Sequence, residues 1–190
     1  AEEIRFSVLA TGDMHSHFEP SEGPYRLGGA ARLKTAMDRI EKTLNAQGRP
    51  VLRLDAGDCG EGSIYFNVRD DHNKVAGVAA YELLNRLNYH AVVLGNHDWS
   101  LGPHQLFQVL EAVPPQFSYL SANLNWENFK EKYSLKEKFK DYEIFYLVNG
   151  QFLRKGDLYQ RGDALAPFQP EADQTYFRVG IFGLSTDEEA

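Results

Sequence analysis

Cysteine is almost missing from this chain of 190 residues. Cys59 stands alone, so no disulfide can form within the chain. Cysteine usage therefore leaves the redox compartment open. No apolar run approaches the roughly 18 residues of a membrane-spanning helix, so no membrane span is expected. Positive charge is the minority: Lys and Arg number 20 against 27 Asp and Glu, a net charge of −7. That balance excludes a broad basic surface for a nucleic acid polymer. It does not exclude small anionic substrates, because a bound cation can invert the local field. There are no repeats and no low-complexity tract. Histidine is absent after His104, so residues 105–190 contribute no imidazole to any site. The opening "AEEIRF" carries no signal-peptide pattern; Ala1 fits the residue left after signal cleavage and equally a cloning remnant.

What is present is ordinary globular material, 43% hydrophobic and 25% charged, enough for one domain with a real core. "IRFSVLA" (4–10) reads as a strand. "GGAARLKTAMDRIEKTLNAQG" (28–48) reads as a helix with Ala31, Leu33, Met37, Ile40 and Leu44 on its inner stripe. "PVLRLDAGD" (50–58) is a second strand and "KVAGVAAYELLNRLN" (74–88) a second helix. "AVVLG" (91–95) is a third strand. "GPHQLFQVLEAV" (102–113) is a third helix, and "FSYLSAN" (117–123) a fourth strand. This β-α-β-α-β-α-β order predicts an α/β fold with a parallel or mostly parallel sheet. The last third reads as a hairpin about Asn149-Gly150, a Pro-rich loop over 161–173 and a final strand in "YFRVGIFGLST". The run "ENFKEKYSLKEKFK" (127–140) reads as a solvated amphipathic segment.

The polar residues gather where such sheets build sites, beyond the carboxyl ends of the strands. "TGDMHSH" follows the first strand, "DAGDCGEGS" the second, "GNHD" the third and "SANLN" the fourth. Asp13, His15, Asp58, Asn96 and His97 mix hard oxygen donors with imidazole, a set suited to Zn²⁺, Mn²⁺, Fe²⁺, Co²⁺ or Ni²⁺. A shared carboxylate could bridge two such ions, the arrangement of two-metal hydrolytic sites. Each residue also has a plainer reading. Asp13 alone would serve as a turn residue, and Asp55 as a hydrogen-bonded structural carboxylate. Gly28-Gly29 suits either an anion at a helix start or tight packing. His17 suits a supporting role, His72, His90 and His104 surface or structural ones, and Cys59 carries no assigned chemistry.

The ordered motifs D-x-H, G-D and G-N-H-D resemble the calcineurin-like metallophosphoesterase superfamily. The flanks "TGDMHSHFEP", "GGAARLKT", "LDAGDCGEGS", "VVLGNHDWSLG", "LSANL" and "VGIFGLST" are similar to its 5′-nucleotidase branch. The resemblance implies a sandwich of two mixed sheets flanked by helices (αββα), of which residues 1–190 would be the N-terminal portion. The later histidine, the G-H-x-H motif and a C-terminal nucleotide-binding domain have no counterpart here; the rest of a parent enzyme would be the chain's partner. It implies Asp13 and His15 on a first metal ion, Asp58 bridging, and Asn96 on a second. His97 would meet the phosphate. Beside these, Asp98 is a further catalytic candidate as the carboxylate next to His97, and Asn123 suits either a contact with substrate or a turn. Two divalent ions are the implied cofactors.

The implied reaction is hydrolysis of phosphate esters, 5′-nucleotides first. The alternatives are a 2′,3′-cyclic nucleotide phosphodiesterase, a related hydrolase such as a thiosulfohydrolase, and a truncated or degenerate domain that binds without turnover. The isolated chain, with at most four protein ligands for two ions, is expected to be inactive and prone to self-association. A periplasmic or extracellular location is implied, with the cytoplasm not excluded. Two departures stand out. The branch reads G-N-H-E-F-D, its last Asp orienting the histidine; here Ser100 holds that place. Glu61 stands where the branch tends to carry Gln.

Overall fold

The computed structural model describes residues 3–69, 75–100, 102–125 and 137–185. Five parallel strands form the main sheet in chain order: β1 (Ser7–Thr11), β2 (Val51–Asp55), β3 (Ala91–Val93), β4 (Ser118–Leu120) and β5 (Phe139–Lys140). Helices α1 (Ala30–Ala46), α2 (Val78–Arg86) and α3 (Gly102–Ala112) connect the first four, as the β-α alternation predicts. The strands are shorter than the apolar runs suggest. In 50–58, only residues 51–55 pair, because Gly57 (φ 94) and Asp58 (φ 55) leave extended geometry.

The two faces of this sheet are buried differently. Val92, Leu94 and Tyr119 pack with Leu84 and Leu87 from α2 and its end and with Leu106, Val109 and Leu110 of α3. On the other face Leu52, Ala91 and Leu120 meet Phe145 and Phe152. Those phenylalanines belong to a second, antiparallel sheet of β6 (Tyr142–Val148), β7 (Gln151–Leu153) and β10 (Arg178–Phe182), ordered β10-β6-β7. The result is three layers: helices, parallel sheet, antiparallel sheet. Strand alternation explains how one strand serves both interfaces. Leu52 and Leu54 of β2 face the second sheet. Arg53, between them, points at the helices and pairs with Asp38 (2.7 Å) and Glu41 of α1, donating also to the carbonyl of Leu87 (2.9 Å). A buried arginine in a strand thus ties two helices to the sheet.

The turn at Asn149-Gly150 joins β6 to β7 with φ 50 and 79, the left-handed pair of a type I′ hairpin. Three readings change. Residues 161–173 are not all loop: β9 (Ala164–Pro167) pairs antiparallel with β8 (Leu158–Arg161) around Gly162-Asp163. A two-residue turn with Gly162 at φ 62 permits this despite the flanking prolines. Ile40 is 45% exposed rather than inward; α1 packs through Met37 and Leu33. Residues 127–136 of the amphipathic run lie outside the described residues, but its end is core: Phe139 is buried and β5 adds to β4. Among the described residues no helix is long and apolar enough to cross a membrane.

His90 couples this packing to pH. Its Nδ1 accepts the N–H of Arg53 (3.0 Å) and its ring stands edge-on to Phe145. Burial, above all, lowers its pKa; Arg53 and Arg154 act the same way, and Glu41 and Asp157 oppose them. A histidine held neutral contributes stability that is present above its ordinary value near 6.5 and lost as pH falls below it, because the unfolded chain takes the proton first. In metal-free protein the urea midpoint should therefore drop further between about pH 7.5 and 5.5 in the parent than in His90→Gln. Parallel drops in the two proteins would show that His90 is not the coupling group.

Candidate metal centre at the strand ends

The loops after β1 and β2 are laced together by backbone. Asp13, His15 and Ser16 donate N–H bonds to the carbonyls of Gly57, Asp58 and Cys59 at 2.8–2.9 Å. These bonds extend the parallel ladder beyond its last strand residues. They also force a rare conformation. Asp13, His15 and Asp58 all take positive φ, at 56, 45 and 55. Left-handed non-glycine residues are uncommon and cluster where function holds them. Here all three are the D-x-H and G-D residues, and their donor atoms lie within 4.8 Å of one another.

Small residues make the room. A Cβ on Gly95 would fall 2.3 Å from the Asp58 carboxylate, and one on Gly57 would fall 2.3 Å from the Gly95 nitrogen. The third loop can then close on the second. His97 donates its backbone N–H to Asp58 Oδ1 (2.7 Å), which fixes the carboxylate below a 3₁₀ turn over His97–Trp99. The ring of His15 is fixed too. Its Nδ1 donates to the Glu61 carbonyl (2.9 Å), which leaves Nε2 free to ligate, 3.9 Å from Asp13 Oδ1. Carboxylate, imidazole and carboxylate, one exposed, one half-buried and one buried, form a donor set that fits a divalent transition ion. Asn96 opens the 3₁₀ turn and its side chain does not cap it; the next residue, His97, carries the backbone bond to Asp58.

Asp98 faces away from this cluster, into the protein. Its Oδ2 accepts the N–H of Asp58 (3.0 Å) and of Gly95 (2.9 Å), and Tyr81 donates its hydroxyl to Oδ1 (3.3 Å). Burial raises its pKa to about 6 against the pull of those backbone bonds. It knits the second loop to the third. The carboxylate against His97 is instead Glu61: Oε2 stands 3.4 Å from Nδ1. Ser100 and His97 hold that carboxyl below its usual pKa, although the Ser100 hydroxyl makes no hydrogen bond of regular geometry. The rings of His15 and His97 meet edge to face with centroids 5.0 Å apart, so Glu61 sits beside both histidines.

Asn123 closes a two-bond ring with Ser185: its amide N–H donates to the Ser185 carbonyl (2.7 Å) and its Oδ1 accepts the Ser185 N–H (2.9 Å). That joins the tail of β4 to the tail of β10. Asp55 accepts from Thr11 and from the Gly57 N–H (3.0 Å), and its pKa is raised by burial, as a structural carboxylate. His17, exposed, contacts only the Met14 carbonyl among the described residues. Gly28-Gly29, Asp13 and His17 border one open cleft at the start of α1. Cys59 is buried and its thiol pKa is pushed up, chiefly by burial. His72 lies outside the described residues.

Comparison with known proteins places this geometry. The family model for calcineurin-like phosphoesterases matches residues 6–177. An NAD 5′-nucleotidase of Haemophilus influenzae is 30% identical over 158 residues, 78% of this chain and 23% of the relative. A snake venom 5′-nucleotidase of Naja atra is 34% identical over 129 residues, 64% of this chain and 22% of the relative. The crystal structure of a 5′-nucleotidase precursor from Thermus thermophilus superposes with a TM-score of 0.63 at 30% identity, over 94% of this chain and 28% of that one. The chain thus spans under a third of the length of these proteins. With a family match across most of its length and the αL ligand loops beneath it, the chain belongs to the calcineurin-like phosphoesterase family.

Proposed function

We propose that this chain supplies the first half of a dinuclear metal site that hydrolyses phosphate esters, 5′-nucleotides before others. The observation that carries the reading is the convergence of Asp13, His15 and Asp58, held by strained backbone, with the His97 N–H locked onto the Asp58 carboxylate. Asp13 and His15 would hold one ion, Asp58 beside them would be shared with a second, and Asn96 would hold that second ion. Bound ions neutralise phosphate charge and lower the pKa of a coordinated water. The remaining steps fall to the chain. With Nδ1 turned to Glu61, His97 presents Nε2 to a phosphoryl oxygen or the departing ester oxygen. Asp98 keeps the Asp58 and Gly95 loops at a fixed separation, so the bridging carboxylate needs no reorganisation.

The nucleotide preference rests on the relatives, several of them 5′-nucleotidases. The same relatives support reading residues 1–190 as the N-terminal portion of a longer catalytic domain. The missing ligands and the nucleoside-gripping surface would then come from residues beyond it. The venom relative favours an extracellular or periplasmic site of action. The experiment is a metal-dependent panel on the full-length protein: nucleoside 5′-monophosphates, 2′,3′-cyclic nucleotides and an S-sulfonated thiol. Fastest turnover of 5′-monophosphates, lost with EDTA and restored by Mn²⁺ or Zn²⁺, is expected. A cyclic or sulfonated substrate in first place would replace the nucleotidase reading. No turnover of any would favour a domain that binds without catalysis.

A further inference from the structure

We propose that Glu61 is the positioning residue for His97, its carboxylate doing from the second loop what no group on the His97 turn does. The argument starts from the 3₁₀ turn itself. Side chains three residues apart eclipse one another on such a turn, so residue 100 stands directly over His97. Ser100 occupies that place, and its buried hydroxyl makes no regular hydrogen bond; it brings no carboxylate to the ring. Asp98, the other acid of the turn, is spent on the Asp58 and Gly95 amides. Glu61 comes in from the second loop and meets His97 Nδ1 at 3.4 Å.

The backbone that carries Glu61 is pinned. The Ser16 hydroxyl donates to the Gly60 carbonyl, the Ser63 hydroxyl donates to the Ser16 carbonyl (2.6 Å), and His15 Nδ1 donates to the carbonyl of Glu61 itself (2.9 Å). A Cβ on Gly62 would fall 2.6 Å from His15 Cβ, so the loop is seated hard against the first one. One residue therefore orients both histidines: its carbonyl sets His15, and its carboxylate sets His97. Stability does not account for the second contact. Both side chains are more than 40% exposed, and ion pairs that exposed add little to folding. What the contact does fix is the ring: Nδ1–H turned to Glu61, Nε2 turned to the ligand. Partners that orient a metal-ligating imidazole typically carry 10- to 100-fold effects, and a similar scale is expected for an imidazole held beside the metal ligands.

This inference rests on the phosphoesterase reading, and a double substitution separates the two. In the full-length protein Glu61→Gln should lower kcat about tenfold or more, with KM and metal content within about twofold of the parent. Glu61→Gln combined with Ser100→Asp should return kcat to within about threefold of the parent, because Asp at 100 reaches the same nitrogen from above. A second readout needs no turnover: ¹⁵N-histidine NMR should show His97 protonated at Nδ1 in the parent, a tautomer mixture in Glu61→Gln, and the Nδ1–H form again in the double variant. Full activity with an unchanged His97 tautomer in Glu61→Gln would overturn the proposal. So would a loss of rate that tracks loss of metal and that Ser100→Asp leaves unrepaired. If the parent turns over no phosphate ester, the functional reading fails, and the NMR result alone decides the role of Glu61.

Discussion

Asp58→Asn should cost more activity than any other single substitution in this chain, on the order of 10³-fold in turnover, or about 4 kcal/mol. The substitution is close to isosteric, so the loss reports charge rather than collapse. Asn keeps a side-chain oxygen to accept the His97 N–H that Asp58 Oδ1 accepts at 2.7 Å. Asn also tolerates the left-handed φ of 55 at this position. The Asp58 N–H bond to Asp98 is untouched. What disappears is one buried negative charge beside Asp13 and His15, the charge that two ions would share. Asp13→Asn and Asn96→Ala should each weaken one ion and leave the other. Metal content by mass spectrometry beside turnover for the three variants makes the comparison. If Asp58→Asn retained two ions and a near-normal rate, Asp58 would not be the bridge.

Legibility of the sequence differed by element, and the reason is local. Strand-helix alternation gave the parallel sheet because each apolar run is bounded by glycine or polar residues, and such runs bury on both faces. The hairpin at Asn149-Gly150 was legible because an Asn-Gly pair takes two positive φ values at little cost. The β8–β9 hairpin was hidden by its prolines, and β5 by the charged residues around Phe139. In the site, the D-x-H and G-D residues do come together, and the His97 backbone joins them. Partnerships between loops were harder to see. Sequence adjacency pointed to Asp98 as the carboxylate beside His97, yet a residue next to His97 on a 3₁₀ turn projects to a different side, and Asp98 points into the core. Glu61 lies 36 positions away. Its signal was the pairing of two departures, an acid gained at 61 and an acid missing at 100, which acquire meaning together only once the loops are seen to meet.

His97→Ala should produce a different signature from Asp58→Asn: kcat lower by on the order of 10²–10⁴, with metal content unchanged. The separation follows from what each part of His97 touches. Its backbone N–H holds Asp58, and alanine keeps that bond. Its side chain is 42% exposed and contacts the ring of His15 and the Glu61 carboxylate. Truncation therefore removes an imidazole from the mouth of the site while Asp13, His15 and Asp58 stay where the backbone ladder between the first two loops puts them. A group that acts on charge developing in the transition state lowers kcat and kcat/KM together when removed, whereas one that only binds substrate raises KM. Equal falls in kcat and kcat/KM at full metal occupancy are the expected result. A rise in KM alone would make His97 a substrate-binding residue, and a loss of metal would make it a ligand in its own right.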